Sequence, residues 1–140
     1  MASTRMGLRA KGKAKIVLFI DDETPWLNMI KTAVENAPFD IMIADSGEAA
    51  LRKIKRKKPD LILSDVRMPA MNGFDLFEKI RSDPRYRNVP YVFMSSIDDF
   101  DARRTAKEIG ADDYVEKPID TEQVESIVLK LLTRFKDNKS

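Results

Sequence analysis

Three aspartates in this chain stand where strand-like apolar runs stop. Asp21 and Asp22 follow "IVLFI" (Ile16–Ile20), and Asp65 follows "LILS" (Leu61–Ser64). Further along, Ser95 and Ser96 follow Tyr91–Met94, and Lys117 follows a run from Asp113 to Glu116. An ionised aspartate closing a buried strand is costly to desolvate unless something compensates it. If the first and third runs are neighbouring strands, the three carboxylates converge, and such a cluster opposes folding unless a cation is present. Oxygen ligands without histidine or cysteine select a hard cation such as Mg²⁺. A lysine and a hydroxyl on the far side suit a tetrahedral anion. A metal, a lysine and an alcohol around an aspartate make a receptor for a phosphoryl group, and the aspartate can itself be the nucleophile, giving an acyl phosphate. Each feature alone has a plainer reading: acidic pairs cap helices, and Lys-Pro marks a turn. Their joint occurrence, in chain order, is what points to a site.

Composition narrows the chemistry further. The chain has no histidine and no cysteine, so histidine bases, histidine or thiolate metal ligands and disulfides are excluded. Any phosphohistidine it deals with belongs to another molecule. Lys plus Arg number 25 against 23 Asp plus Glu, a net +2 that is too balanced to argue for nucleic acid or a membrane surface. The cations from Arg52 to Lys58 are expected to be the solvated end of a helix, where positive charge is favoured. No apolar run reaches the roughly 18 to 20 residues that span a bilayer, and no signal-peptide core is evident. These features lead us to expect a cytoplasmic protein of one domain, since 140 residues suffice to bury one core.

The elements that must position the aspartates read as strands alternating with helices. Strands are expected at Ile16–Ile20, Phe39–Ala44, Leu61–Ser64, Tyr91–Met94 and Asp113–Glu116. The first helix is expected to start from Thr24 as N-cap, with Pro25 at its first position, and to run until Pro38. Ser46 is expected to cap the second helix, whose apolar face includes Ala50, Leu51 and Ile54. The third carries Phe74, Phe77 and Ile80. The fourth carries Ala102, Ala106 and Ile109, with Gly110 as its terminating glycine. Asp120 and Gln123 suggest a capping box ahead of a last helix striped by Val124, Ile127, Val128, Leu131 and Phe135. Five such alternations predict an α/β parallel sheet with helices on both faces and right-handed crossovers. In such sheets ligands sit outside the carboxyl ends of the strands, where the aspartates are.

Over about Lys15 to Phe135 the chain resembles the receiver domain of bacterial two-component signalling, the response regulator family. "IDDE" resembles the family's acidic pair, "LILSDVRMPAMNGFD" its phosphoacceptor segment, "VFMSS" its hydroxyl-bearing strand end and "GADDYVEKPI" its switch-tyrosine and Lys-Pro segment. The resemblance implies a flavodoxin-like (βα)5 fold with strand order 2-1-3-4-5. It implies that Asp65 accepts phosphate from a histidine kinase or histidine phosphotransfer protein. Mg²⁺ would be held by Asp22, Asp65 and the Arg67 backbone carbonyl, with Asp21 acting mostly through water. Ser95 and Lys117 would bind phosphoryl oxygens, and Tyr114 would report the state by rotating inward. The Lys117–Pro118 bond is often cis in the family. Arg67 and Ile97, two positions beyond Asp65 and Ser95, would tune the lifetime of the acyl phosphate by shielding it. Gly73 would let the chain turn tightly into the next helix.

The division expected is a basic flexible leader at 1–14, a receiver at 15–135 and a flexible tail at 136–140. Such a chain is a phosphoacceptor that assists its own phosphorylation and slow dephosphorylation, rather than an enzyme in the usual sense. Its output would be a protein effector, or an output domain on a longer regulator. Two other classes are conceivable. A dehalogenase-type phosphatase needs a second acid two residues after its nucleophile, where this chain has Arg67. A receiver-like interaction module that is never phosphorylated would not need the complete set of site residues.

Overall fold

The apolar runs pair as the strands of one parallel sheet; the three central runs are largely buried because helices cover both faces, while the two edge runs are only partly buried. The computed structural model describes residues 14–117 and 119–136. The leader apart from Ala14, the tail apart from Lys136, and Pro118 with its expected cis bond lie outside the described residues. The strands are β1 (Lys15–Ile20), β2 (Phe39–Ala44), β3 (Leu61–Asp65), β4 (Tyr91–Ser96) and β5 (Asp113–Lys117). They lie in the expected order β2-β1-β3-β4-β5. The helices are α1 (Thr24–Ala33), α2 (Gly47–Arg56), α3 (Gly73–Arg81), α4 (Phe100–Glu108) and α5 (Val124–Phe135).

Alternation of side chains along the strands divides the core in two. On one face Leu18, Ile20, Ile62, Tyr91 and Phe93 meet α2, α3 and α4 through Ile54, Leu76, Phe77, Ile80, Ala102 and Ala106. On the other, Val17, Phe19, Leu61, Leu63, Val92 and Met94 meet α1 and α5 through Leu27, Ile30, Val124, Val128 and Leu131. The first face is held by interlocked rings, with Phe74 and Phe93 4.9 Å apart and Phe77 and Tyr91 5.1 Å apart between centroids. The Tyr91 hydroxyl donates to the Gly73 carbonyl at 3.0 Å and ties β4 to the start of α3.

Several element ends differ from the sequence expectation. Thr24 is the first residue of α1 rather than its N-cap; Glu23 takes that place, and no side chain caps the helix. The helix stops at Ala33, and i→i+3 bonds take over, with Ala37 N–H donating to Val34 O at 3.0 Å. A residue before proline is pushed out of the helical region, so Pro38 acts from a distance on the preceding turn. The capping box expected at Asp120 does not form. The Gln123 N–H it would need already donates to the Asp120 carbonyl at 2.8 Å, in a 3₁₀ turn over Thr121–Gln123. Ser46 does cap α2, accepting from Ala49 N–H at 3.1 Å. Gly110 terminates α4 at φ +84°, while Ala111 N–H reaches back to the Ala106 carbonyl at 3.0 Å.

Candidate functional site

Strands β1, β3, β4 and β5 end beside one another, and their last residues build the site. The ladder pairs Ile20 with Ser64, Asp65 with Met94 and Ser96 with Lys117. This register carries Asp21 and Asp22 alongside Asp65. Carboxylate oxygens of Asp21, Asp22 and Asp65 lie within 4.8 Å of one another. Asp21 is fully buried, Asp65 is 7% exposed and Asp22 faces solvent. Three convergent carboxylates, one of them open to water, are a donor set that fits a hard divalent cation.

Lys117 is the compensating charge. Its Nζ lies 2.6 Å from Asp21 Oδ2, 3.5 Å from Asp65 Oδ2 and 3.8 Å from Glu23 Oε1. It also stands over the Trp26 ring, 5.4 Å from the centroid. The other Asp21 oxygen accepts from Glu23 N–H at 2.9 Å, which fixes the carboxylate plane. Burial would lower the pKa of Lys117, but the Asp21 hydrogen bond and the neighbouring carboxylates outweigh it and hold the pKa above the usual lysine value. Asp65 behaves oppositely. Burial pushes it up to about 6; Lys117 pulls against that, while Asp21 and Asp22 reinforce it. One lysine therefore does not neutralise the cluster, and further positive charge would be accommodated there.

The loop from Asp65 to α3 folds back onto the strand it leaves. Gly73 N–H donates to the Val66 carbonyl at 2.9 Å. A Cβ on Gly73 would lie 2.2 Å from the Asp65 carbonyl oxygen, so no larger residue fits without moving the backbone. The glycine is needed for this close approach and not for a special φ, which differs from the turn-making role read from sequence. Inside the loop, Met71 N–H donates to the Pro69 carbonyl at 2.8 Å, and Ala70 between them has φ +67°. That is a γ-turn of the strained kind. Asn72 and Asp75 then form a reciprocal capping box for α3.

The residues expected to bind a phosphoryl group are placed unevenly. Ser95 is buried, and its hydroxyl donates to Asp99 Oδ2 at 3.1 Å. Arg67 turns to the same carboxylate, donating from Nε to Oδ2 and from Nη2 to Oδ1, both at 2.9 Å. Ile97 is 62% exposed. In this structure, then, Arg67 is engaged elsewhere and Ile97 points largely to water. Tyr114 is half-buried under the Arg103 guanidinium, and among the described residues its hydroxyl is the buried side-chain polar atom without a partner. The hydroxyl is thus shielded from solvent although the residue as a whole is only half-buried. Three contributors had no sequence signal as site residues. Trp26 read as part of an apolar helix stripe, Glu23 as a neighbour of the acidic pair, and Asp99 as an unremarked loop residue. Only the spacing of Asp99 before Ala102, typical of an N-cap, could have drawn notice to it.

With this geometry in view, the comparisons are decisive. The family described as the response regulator receiver domain matches residues 17–129. The chain belongs to that family. Among curated relatives, it is 34% identical over 120 residues to the response regulator PleD of Caulobacter vibrioides, covering 86% of this chain and 26% of PleD. It is 31% identical over 126 residues to the transcriptional regulatory protein TrcR of Mycobacterium tuberculosis, covering 90% of this chain and 48% of TrcR. The chain thus spans half or less of the length of these relatives. Among solved structures, the chemotaxis protein CheY4 of Vibrio cholerae superposes with a TM-score of 0.75 at 28% identity, covering 87% of this chain and 98% of that one. The receiver fold and the two-component signalling class follow, and the alternative of a receiver-like interaction module that is never phosphorylated is not favoured.

Proposed function

We propose that this receiver takes a phosphoryl group on Asp65 from a phosphohistidine of a histidine kinase or phosphotransfer protein. The single observation that carries the reading is the placement of Asp65 at the end of β3, with Asp21 and Asp22 oxygens within 4.8 Å on one side and Lys117 at 3.5 Å on the other. An Asp65 carboxylate oxygen would attack phosphorus, forming a P–O bond as the N–P bond of the donor breaks and the imidazole nitrogen leaves. Asp21, Asp22, Asp65 and the Arg67 carbonyl would hold Mg²⁺, which supplies charge neutralisation of the phosphoryl oxygens. Lys117 already bridges Asp21 and Asp65, so it stands where a third phosphoryl oxygen would need a cation. The Ser95 hydroxyl would donate to another oxygen once released from Asp99.

In this reading the chain is a signalling domain whose phosphorylation state is read by a protein effector or by an output domain beyond the receiver. The length of the relatives supports the second possibility, and the transcriptional role named for TrcR supports a regulator of that kind. We place the receiver unit at 15–135, flanked by a leader and a tail. Among the described residues no helix is long and apolar enough to cross a membrane.

Intact-mass measurement after acetyl phosphate and Mg²⁺ tests the assignment. Wild type should gain one phosphoryl group and Asp65→Asn none. Phosphorylation of Asp65→Asn, or none on wild type, would refute it.

A further inference from the structure

Asp99 makes four hydrogen bonds at once. Its Oδ2 accepts from Ser95 Oγ at 3.1 Å and from Arg67 Nε at 2.9 Å. Its Oδ1 accepts from Arg67 Nη2 at 2.9 Å and from Ala102 N–H at 3.2 Å, the last being the N-cap bond of α4. A carboxylate has about four lone-pair sites, so this one is saturated. Hydrogen bonding from Arg67 first, then from Ala102 and Ser95, holds its pKa down at about 2 against its burial. Asp99 is therefore an anion throughout the working range, and it is bonded to side chains from the two segments next to Asp65, the β3–α3 loop and the end of β4.

The chemistry of those two side chains creates a conflict. Ser95 has one hydroxyl proton and can donate to one acceptor at a time. It follows Met94, the ladder partner of Asp65, so β4 carries its hydroxyl to the same end of the sheet as the phosphoryl position. Arg67 is two residues past Asp65 and has committed the Nε–Nη2 edge of its fork. A phosphoryl group carries about −1.5 to −2 charge with three strong acceptor oxygens, so it would draw on the same two donors and repel the carboxylate.

We propose that Asp99 is a positioning residue that competes with the phosphoryl group on Asp65 for the Ser95 hydroxyl and the Arg67 guanidinium, so that filling the site frees the Asp99 carboxylate from both and loosens its hold on the start of α4. The proposal rests on Asp65 being the phosphoacceptor. It makes the β4–α4 loop, which carries Asp99, the part that must change state. Asp99 holds the unphosphorylated arrangement together, and its loss of partners is the message passed to α4.

Beryllofluoride with Mg²⁺ is the probe, read through Trp26, the sole tryptophan, which lies against Lys117. Asp99→Asn keeps a good N-cap acceptor but loses the charge that holds Arg67. It should bind the probe about tenfold tighter than wild type, the equivalent of 1.4 kcal/mol, with an unfolding midpoint close to wild type. The gain should vanish when Arg67→Ala and Ser95→Ala are also present. The Ala102 amide resonance should shift on adding the probe to wild type, and less so in Asp99→Asn. Should Asp99→Asn fold poorly, Asp99→Ser offers the same test with a different cap. Wild type that binds the probe while neither variant binds it tighter overturns the latch alone. A gain that survives the loss of Arg67 and Ser95 also overturns it, because simple removal of negative charge would then explain it. Wild type that binds no beryllofluoride overturns the phosphoacceptor reading and the latch with it.

Discussion

A single carboxylate sets the energetics of this site in the absence of a cation. Asp65 has its folded pKa raised to about 6, above the ordinary 3.8, mainly by burial. The folded protein therefore keeps a proton that the unfolded chain releases, and stability falls as pH rises between about 4 and 6. Above that window the ionised group costs on the order of 2–3 kcal/mol, a shift converted at about 1.36 kcal/mol per unit and trimmed for residual solvent contact. In chelator at pH 7.5, Asp65→Asn should melt higher than wild type, and the gap should close as pH approaches 4. A gap that is the same at both pH values would mean the stability difference does not arise from the charge. The aspartates, Lys117 and Ser95 were legible as residues, since polar groups closing apolar runs are conspicuous. What Arg67 does was not. The sequence suggested a shield over the phosphoryl group, but a side chain 63% exposed and forked onto Asp99 needs that loop partner to be understood.

Between residue and fold, the β3–α3 loop decides how accurately Asp65 is presented. Ala70 adopts φ +67°, a conformation that costs a residue with a Cβ roughly 1–2 kcal/mol. Ala70→Gly should relieve it and stabilise the protein by about 1 kcal/mol, less the entropy that glycine adds to the unfolded chain. Urea titration of the two proteins measures this, and a midpoint lowered by the equivalent of about 0.4–1 kcal/mol, glycine's unfolded-state entropy, would show that the turn is not strained. Gly73→Ala should do the reverse. A methyl 2.2 Å from the Asp65 carbonyl forces the backbone apart, at a cost of about 1–3 kcal/mol. Because the displaced atom belongs to Asp65, phosphorylation by acetyl phosphate should slow as well. Loss of stability with normal phosphorylation would mean that the strain escapes away from the site. Element ends were the least legible part of the sequence. Strands expected to stop at Ser64, Met94 and Glu116 run on to Asp65, Ser96 and Lys117, because ladder bonds continue where apolar character ends. The missing capping box at Asp120 has the same origin: a backbone carbonyl reached the Gln123 N–H before a side chain could.

At the scale of the whole molecule, the site lies where the sheet's order reverses. The chain goes from β1 outward to β2 on one side and to β3 on the other. Parallel alternation made that architecture readable from the sequence, because five strand–helix units allow few right-handed arrangements. The consequence is that Asp21 and Asp22 lead into α1, which packs on one face, while Asp65 leads into α3, which packs on the other. Lys117 closes the group from β5. A cation bound between these carboxylates would join both halves of the core, so its binding energy should appear in global unfolding and not as local stiffening. A ligand that binds only the native state adds RT ln(1 + [L]/Kd), about 2.7 kcal/mol at a hundred times Kd. Mg²⁺ should accordingly raise the melting midpoint, and the transitions followed by far-ultraviolet circular dichroism and by Trp26 fluorescence should move together. Asp22→Ala, which removes the most accessible ligand of the three, should abolish most of the shift while leaving the transition cooperative. If Mg²⁺ moved the Trp26 transition alone, the site would be coupled to α1 but not to the rest of the sheet, and the two halves of the core would unfold separately.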